Sequence, residues 1–164
     1  LIEPEVDDNT ILDLVFYLKT LKAPIQRTPE DPDIIEGKNL FDIAGCSNCH
    51  LPELETGFSL IASLSFTKFH PYTDLLLHDM GQDLDDGYTE GNAKTSEWRT
   101  PPLWGLGLSK NSQGGQYFLL HDGRAESIEK AILLHGGEGK ESKEFFEALP
   151  ADDKQKLIKF LESL

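Results

Sequence analysis

Residues 46–50 read Cys-Ser-Asn-Cys-His, and most of what the sequence predicts follows from this stretch. It is a Cys-x-x-Cys-His motif, the attachment signature of c-type haem. Thiols at this spacing can form thioethers with the two vinyl groups on one porphyrin edge, and the next residue then brings its imidazole under the iron. We therefore expect Cys46 and Cys49 to hold one haem c covalently, with His50 as the proximal iron ligand.

Two other uses of paired cysteines fit the sequence poorly. A structural zinc site normally takes four ligands, but the chain has 2 cysteines and no second pair. A thioredoxin-like redox pair would lie beside a βαβ pattern, which this sequence lacks. Because haem c is attached outside the cytoplasm, the motif also predicts a periplasmic or otherwise exported protein.

Composition and charge narrow the possible partners. The chain has 164 residues, of which 38% are hydrophobic, enough for a packed domain. Its 29 acidic and 15 basic residues give a net charge of −14. No basic stripe could neutralise phosphates, which excludes nucleic acid, and no apolar run approaches the roughly 18 residues of a membrane span. The acidic surface favours a small, basic redox partner, although the same charge can serve solubility alone.

The apolar pattern predicts helices separated by long loops. Helices are expected over about 32–44, 124–135, 142–149 and 151–164. Strand signals are sparse and allow a short hairpin around 113–120, while 51–69 and 81–97 look like loops. The sequence therefore predicts an all-α, cytochrome c-like haem domain with long loops and at most one short hairpin.

The two ends of the chain carry a similar amphipathic segment. Residues 8–21 align without a gap on residues 151–164. The apolar positions coincide, pairing Leu14 with Leu157, Val15 with Ile158, Tyr17 with Phe160, Leu18 with Leu161 and Leu21 with Leu164. A repeated closing helix predicts that residues 1–24 end an upstream domain and that 25–164 form the haem domain. Two unrelated amphipathic helices are the alternative.

The sixth iron position has two candidates. His135 continues a helical apolar spacing that begins at Ile128, so it shares the buried face of its helix. A histidine there is either an iron ligand or a hydrogen-bonded core residue. Met80 stands at the mouth of the acidic loop and is either a ligand or ordinary packing. Either side chain opposite His50 would make an electron-transfer haem, whereas an open position would admit peroxide.

Further residues are candidates for the surroundings of the haem. Arg99 and Arg124 could pair with the haem propionates, because arginine binds carboxylates through two parallel hydrogen bonds. Their alternative role is that of exposed cations in an acidic protein. Trp98 and Trp104 are expected to pack against the haem edge. Structural roles are expected for His70 and His78, and His121 is expected either to support an iron ligand or to serve structure.

Longer motifs resemble the di-haem oxidoreductase family, whose members are also labelled peroxidases or thiol oxidoreductases. The resemblance covers nearly the whole chain and rests on residues 37–41, 46–50, 70–81, 97–107 and 120–138. The family is related to the di-haem cytochrome c peroxidases and to the MauG enzymes, which carry two cytochrome c-like domains. The resemblance implies that this chain is the C-terminal haem domain, preceded by the last helix of the N-terminal one.

The resemblance also bears on the site residues. In the peroxidases the segment matching 127–136 carries the methionine that binds the C-terminal haem, and MauG enzymes have a tyrosine there. This chain has His135 in that segment, which favours His135 over Met80 as the distal ligand. The relatives place a proline before their His-Asp-Gly turn, at an inter-haem calcium site. Phe118 stands there in this chain, which argues against calcium.

The function implied is one-electron transfer through a low-spin haem c, as the relay domain of a di-haem oxidoreductase. In the relatives the peroxidatic haem lies in the N-terminal domain, so the sequence leaves open whether this chain is itself an enzyme. The alternatives are a haem peroxidase with an accessible iron, and a haem-based sensing or docking module. The upstream haem domain is the partner that the resemblance implies.

Covalent attachment is directly testable. Denaturing the purified protein in acidified organic solvent should leave the colour with the polypeptide, at one haem per chain, because thioethers survive conditions that release iron ligands. Absorption of the separated protein and solvent fractions measures this. Pigment that moves into the organic phase would contradict attachment through Cys46 and Cys49.

Overall fold

The computed structural model describes residues 5–164, a mostly helical chain with two small antiparallel sheets. The α-helices of the described part are α1 Asp8–Lys19, α2 Pro32–Ile43, α3 Leu106–Ser112, α4 Ile128–Leu133, α5 Lys140–Ala148 and α6 Ala151–Ser163. Short 3₁₀ turns occupy Cys46–Asn48, Ala62–Leu64, Gln82–Leu84 and Gly137–Gly139. No helix within these residues has the length and apolar character needed to cross a bilayer.

The strands are very short. β1 Leu54–Glu55 pairs with β2 Lys68–Phe69, and β3 Leu77–Asp79 pairs with β4 Glu97–Arg99, placing His78 opposite Trp98. Strands of this length show too little alternation to be recognised in a sequence. The mostly helical prediction is confirmed, but the two sheets exceed the single hairpin expected. The region predicted as that hairpin, 113–120, contributes only one bridge, between Leu119 and Ala125.

Helix boundaries agree with the predictions where local signals are strong. α2 and α6 match their predicted spans closely. α4 ends at Leu133, so His135 lies beyond the helix on whose buried face it was expected. α4 also begins at Ile128 and not near residue 124. The reason is that Ser127 caps α4, its side chain accepting a hydrogen bond from the Lys130 amide at 3.0 Å. α3 was not predicted, because its glycine, serine and asparagine content gives it low helix propensity.

The core is built on close packing of α2 against α6. Gly37 makes this approach possible, since a Cβ there would overlap the Lys156 carbonyl oxygen and lie 2.8 Å from the Phe160 Cβ. The Phe160 ring is 0% exposed and meets Phe41 and Tyr72 edge-on, with centroids 5.4 and 5.9 Å away. Burying such a side chain contributes about 1.5–3 kcal/mol. The other buried members of the core are Ile34, Leu40, Tyr117, Ile128, Phe146, Leu157, Leu161 and Leu164.

The segment between α1 and α2 is fixed across the end of α6. The Arg27 amide donates to the Ser163 carbonyl at 2.8 Å. The Arg27 guanidinium donates to the Leu164 carbonyl at 3.1 Å and also to that of Glu162. Carbonyl groups at a helix C-terminus lack intrahelical partners and carry partial negative charge. Arg27 therefore caps α6 and ties the linker to the core.

α1 differs from α6 in its surroundings although the two share an apolar pattern. No residue of α1 is buried. Leu18 is 55% exposed, whereas Leu161, its aligned residue in α6, is 5% exposed. α1 is thus an amphipathic helix without a covering partner among residues 5–164. Whether residues 1–24 belong to an upstream domain stays a prediction, and residues 1–4 of that unit lie outside the described chain.

Gly37→Ala should destabilise the fold, because the new methyl group must force α2 and α6 apart. We expect the free energy of unfolding to fall by about 1–3 kcal/mol, the usual cost of overpacking. Urea unfolding followed by circular dichroism measures this. Gly57→Ala is the matched control, since a Cβ there meets no atom within 4 Å. Equal stability of the two variants would show that the helix contact is not tight.

Candidate haem-binding site

The cysteine motif follows directly from the end of α2. Gly45 adopts φ 76° and its amide donates to the Asp42 carbonyl at 3.1 Å, so it ends the helix in the left-handed conformation that glycine favours. The 3₁₀ turn Cys46–Asn48 comes next, and the His50 amide donates to the Cys46 carbonyl at 3.0 Å. The motif is therefore one compact turn whose position is set by α2.

The two thiols are unpaired and partly buried. Burial raises the pKa of Cys46 to about 11. Burial also raises the pKa of Cys49, and the nearby negative charges of Asp74 and Glu138 act in the same direction. Redox-active cysteine pairs need a lowered pKa. These thiols are thus poorly suited to thiol–disulfide chemistry.

His50 has a defined tautomer. Its Nδ1–H donates to the Tyr72 carbonyl at 3.0 Å, which leaves a lone pair on Nε2. Tyr72 is buried with φ 55°, a left-handed conformation that is unfavourable for a bulky residue. Its ring packs edge-on against Phe41, with centroids 6.0 Å apart, and against Phe160. The α2–α6 core therefore holds the carbonyl that orients His50.

His135 has the same tautomer. It follows the C-cap of α4, and its Nδ1–H donates to the Ala131 carbonyl at 2.7 Å. Gly139 packs closely against the His135 ring, since a Cβ at Gly139 would lie 3.1 Å from the His135 Cδ2. Within residues 5–164 neither His50 nor His135 has a hydrogen-bond partner at Nε2. Each ring is thus anchored at one nitrogen and free to bind a metal through the other.

Both imidazoles are neutral near pH 7. Burial lowers the pKa of His50 to about 4; the Tyr72 hydrogen bond opposes this effect, and the positive charge of a protonated His135 adds to it. Burial also lowers the pKa of His135. Neutral imidazole is the form that binds metal. Two free thiols followed by a neutral imidazole with an available Nε2 atom fit a covalently bound haem, and His135 offers a second imidazole of the same kind.

Met80, the alternative sixth ligand, lies next to the turn that carries His135. The Met80 amide donates to the Ser96 carbonyl at 2.9 Å. Its carbonyl oxygen would lie 2.7 Å from a Cβ on Gly136, so the backbones of the two segments are in close contact. The choice between His135 and Met80 as iron ligand therefore stays a prediction.

The two arginines have different surroundings. Arg99 is exposed on β4. The guanidinium of Arg124 forms an ion pair with Asp122 and donates to the Asp83 carbonyl at 2.7 Å, which ties the turn before α4 to the acidic loop. Binding of haem propionates by Arg99 and Arg124 stays a prediction.

The two tryptophans pack against other rings. Trp98 stacks on His121, with centroids 3.5 Å apart and an interplanar angle of 5°, and its indole N–H donates to the Leu84 carbonyl at 2.8 Å. Trp104 lies beside Phe69, with centroids 5.8 Å apart. Their expected contact with a haem edge also stays a prediction.

Sequence reasoning missed a polar cluster centred on His78. The His78 Nε2 lies 2.8 Å from an Asp74 carboxylate oxygen, and Nδ1 lies 2.9 Å from Glu138 and 3.7 Å from the Cys49 sulfur. Asp74 and His78 are four residues apart, but Glu138 is distant in sequence and gave no signal. The carboxylates of Glu138 and Asp74 raise the pKa of His78.

This cluster could be mistaken for a metal site. Donor atoms of Cys49, Asp74 and His78 lie within 4.8 Å of one another. A metal needs a neutral imidazole with a free nitrogen, whereas both nitrogens of His78 contact carboxylates. We therefore assign the cluster as a set of charge-assisted hydrogen bonds.

Comparison with known proteins identifies a family and a solved structure of similar fold. The family described as "Di-haem oxidoreductase, putative peroxidase" matches residues 2–164. No curated protein matches significantly. Among solved structures, Kuenenia stuttgartiensis hydrazine synthase pressurized with xenon is similar, with a TM-score of 0.55 and 16% identity over 96% of this chain. Identity this low indicates a shared fold only, and this chain spans 56% of that chain.

Proposed function

The chain belongs to the di-haem oxidoreductase family, and we propose that it transfers single electrons through one low-spin haem c in a cytochrome c-like domain. In this role it is the relay domain of a di-haem oxidoreductase. Family membership supports a haem-based redox function. One observation carries the finer proposal: His50 and His135 are both neutral, each anchored to a backbone carbonyl through Nδ1.

The residues of the site have distinct tasks. Cys46 and Cys49 hold the haem through thioethers, and His50 and His135 bind iron through Nε2. Once bound, the haem supplies a one-electron Fe(III)/Fe(II) couple. Because both imidazoles are held by backbone carbonyls, their orientation need not change with the charge of the site. Two protein ligands also leave peroxide no open position on the iron.

Compartment and partners follow from the same proposal. Covalent haem attachment makes the protein periplasmic or otherwise exported. A net charge of −14 supports a small, basic electron-transfer partner, because opposite charges raise encounter rates. That partner would dissociate readily in salt, as expected for a contact steered by surface charge.

The exposed apolar face of α1 is evidence for a second partner, an upstream haem domain. The exposed apolar residues in and just after α1 include Leu14, Tyr17, Leu18 and Leu21. They align with buried residues in and just after α6, namely Leu157, Phe160, Leu161 and Leu164. We propose that residues 1–24 close that domain by packing against a helix that corresponds to α2. α1 would then bury its apolar face there, as α6 does here.

The iron ligands can be tested with two variants of the haem-loaded protein. His135→Ala should turn the haem high-spin, because the sixth ligand is lost, and Met80→Ala should leave it low-spin. Visible and near-infrared spectra measure both. The ferric wild type should lack the near-infrared sulfur-to-iron band of methionine ligation, and its potential should lie below that of a His/Met haem.

Other outcomes would select a different function. The reverse pattern in the two variants would assign the sixth position to Met80. A high-spin wild type that binds carbon monoxide or peroxide readily would contradict the relay role. It would favour a peroxidase or a gas sensor with an accessible iron.

If residues 1–24 belong to an upstream domain, substitutions at aligned positions of α1 and α6 should affect the stability of this chain differently. Deleting residues 1–24 should leave the visible spectrum unchanged, since they supply no iron ligand. Leu18→Glu should change the free energy of unfolding of this chain by less than about 0.5 kcal/mol, as for surface substitutions. Leu161→Glu should destabilise it strongly, because it buries an unpaired charge. Altered axial ligation after the deletion would contradict an upstream origin for this segment.

A further inference from the structure

We propose that His78 is a positioning residue, whose imidazole fixes the distal ligand His135 relative to the proximal ligand His50 by joining Asp74 to Glu138. This inference rests on the proposed function, because it assumes that both histidines bind iron. The sequence motifs did not assign His78 more than a general structural role.

The contact of His78 with Asp74 connects it to the proximal ligand His50. Asp74 lies two residues after Tyr72, whose carbonyl orients His50. Thr73, between them, is buried, its hydroxyl donating to the Thr100 carbonyl at 2.7 Å and its amide to the Leu51 carbonyl at 3.1 Å. The Asp74 side chain is only 7% exposed. The carboxylate that accepts the His78 Nε2–H at 2.8 Å therefore lies two residues from the carbonyl that orients His50, with buried Thr73 between them.

The contact of His78 with Glu138 connects it to the distal ligand His135. Glu138 follows His135 after two glycines, and one of its carboxylate oxygens accepts the His78 Nδ1–H at 2.9 Å. The other oxygen accepts the Asp79 amide, also at 2.9 Å. Glu138 thus accepts two hydrogen bonds from the end of β3. The backbones of the two segments are also in close contact, since a Cβ on Gly81 would lie 2.8 Å from the Gly137 nitrogen.

Only a doubly protonated imidazole can make both contacts. A neutral histidine has one N–H, so it could donate to Asp74 or to Glu138 but not to both. The imidazolium between two carboxylates makes charge-assisted hydrogen bonds, which are stronger than neutral ones. Its Nδ1 also lies 3.7 Å from the sulfur of Cys49, the second haem anchor. His78 therefore links three parts of the proposed site that are separate in sequence.

His78→Asn tests the inference in the haem-loaded protein, because asparagine carries both of its N–H donors on one nitrogen and cannot reach carboxylates that lie at the two separate ring nitrogens of His78. We expect a high-spin component in the ferric spectrum and carbon monoxide binding to the ferrous haem about tenfold faster than in the wild type, as one such hydrogen bond is lost. His70→Asn is the matched control. Its imidazole is exposed, and the one hydrogen bond it makes within residues 5–164 is with the Pro52 carbonyl, at 3.2 Å, so both readouts should stay unchanged.

Glu138→Gln provides a second variant that keeps an oxygen for the Asp79 amide but removes the charge. We expect the same changes as for His78→Asn at smaller size, and little further change in the double variant, because the two residues act in one contact. Glu138→Gln also tests the inference by itself if His78→Asn does not fold.

The outcomes separate this inference from the proposed function. If His135→Ala becomes high-spin while His78→Asn and Glu138→Gln lose thermal stability but bind carbon monoxide at the rate of His70→Asn, His78 only stabilises the fold and the inference is overturned. The proposed function then stands. If His135→Ala keeps the wild-type spectrum, both are overturned together.

Discussion

The contact between α2 and α6 at Gly37 is the constraint on which the rest of the structure depends. Without a side chain at this position, the backbones approach closely enough for Phe41 and Phe160 to enclose the Tyr72 ring. Tyr72 is held in a left-handed conformation, and its carbonyl sets the orientation of His50. The same helix, α2, ends at the cysteine motif. One helix contact therefore positions Cys46, Cys49 and His50, the residues that we propose anchor the haem and bind its iron.

Polar contacts bring the distant parts of the site together. His78 joins the segment of Tyr72 to the turn after His135, and Arg27 binds the linker to the end of α6. These contacts use charged groups against carboxylates or helix-end carbonyls, which makes them stronger than neutral hydrogen bonds. The long loops of this small domain are thus held at a few points and not by continuous secondary structure.

Helices α1 and α6 show how the same pattern can have two outcomes. Their apolar positions match along residues 8–21 and 151–164, yet within the described chain α6 has buried residues and α1 has none. Burial is therefore decided by what a helix packs against and not by its own sequence. The proposed upstream domain would provide for α1 the surface that α2 provides for α6.

The sequence by itself determined the features that rest on neighbouring residues. The motif at Cys46–His50 and the spans of α2 and α6 follow from local spacing, caps and turn residues. Tertiary structure alone decided the short sheets, the helix α3, the backbone of Tyr72 and the contact of His78 with Glu138. Each of these depends on residues far apart in the chain, and such contacts leave no periodic signal in the sequence. The strain at Tyr72 and the charge pair at His78 exist only because packing of the whole domain holds their partners in place.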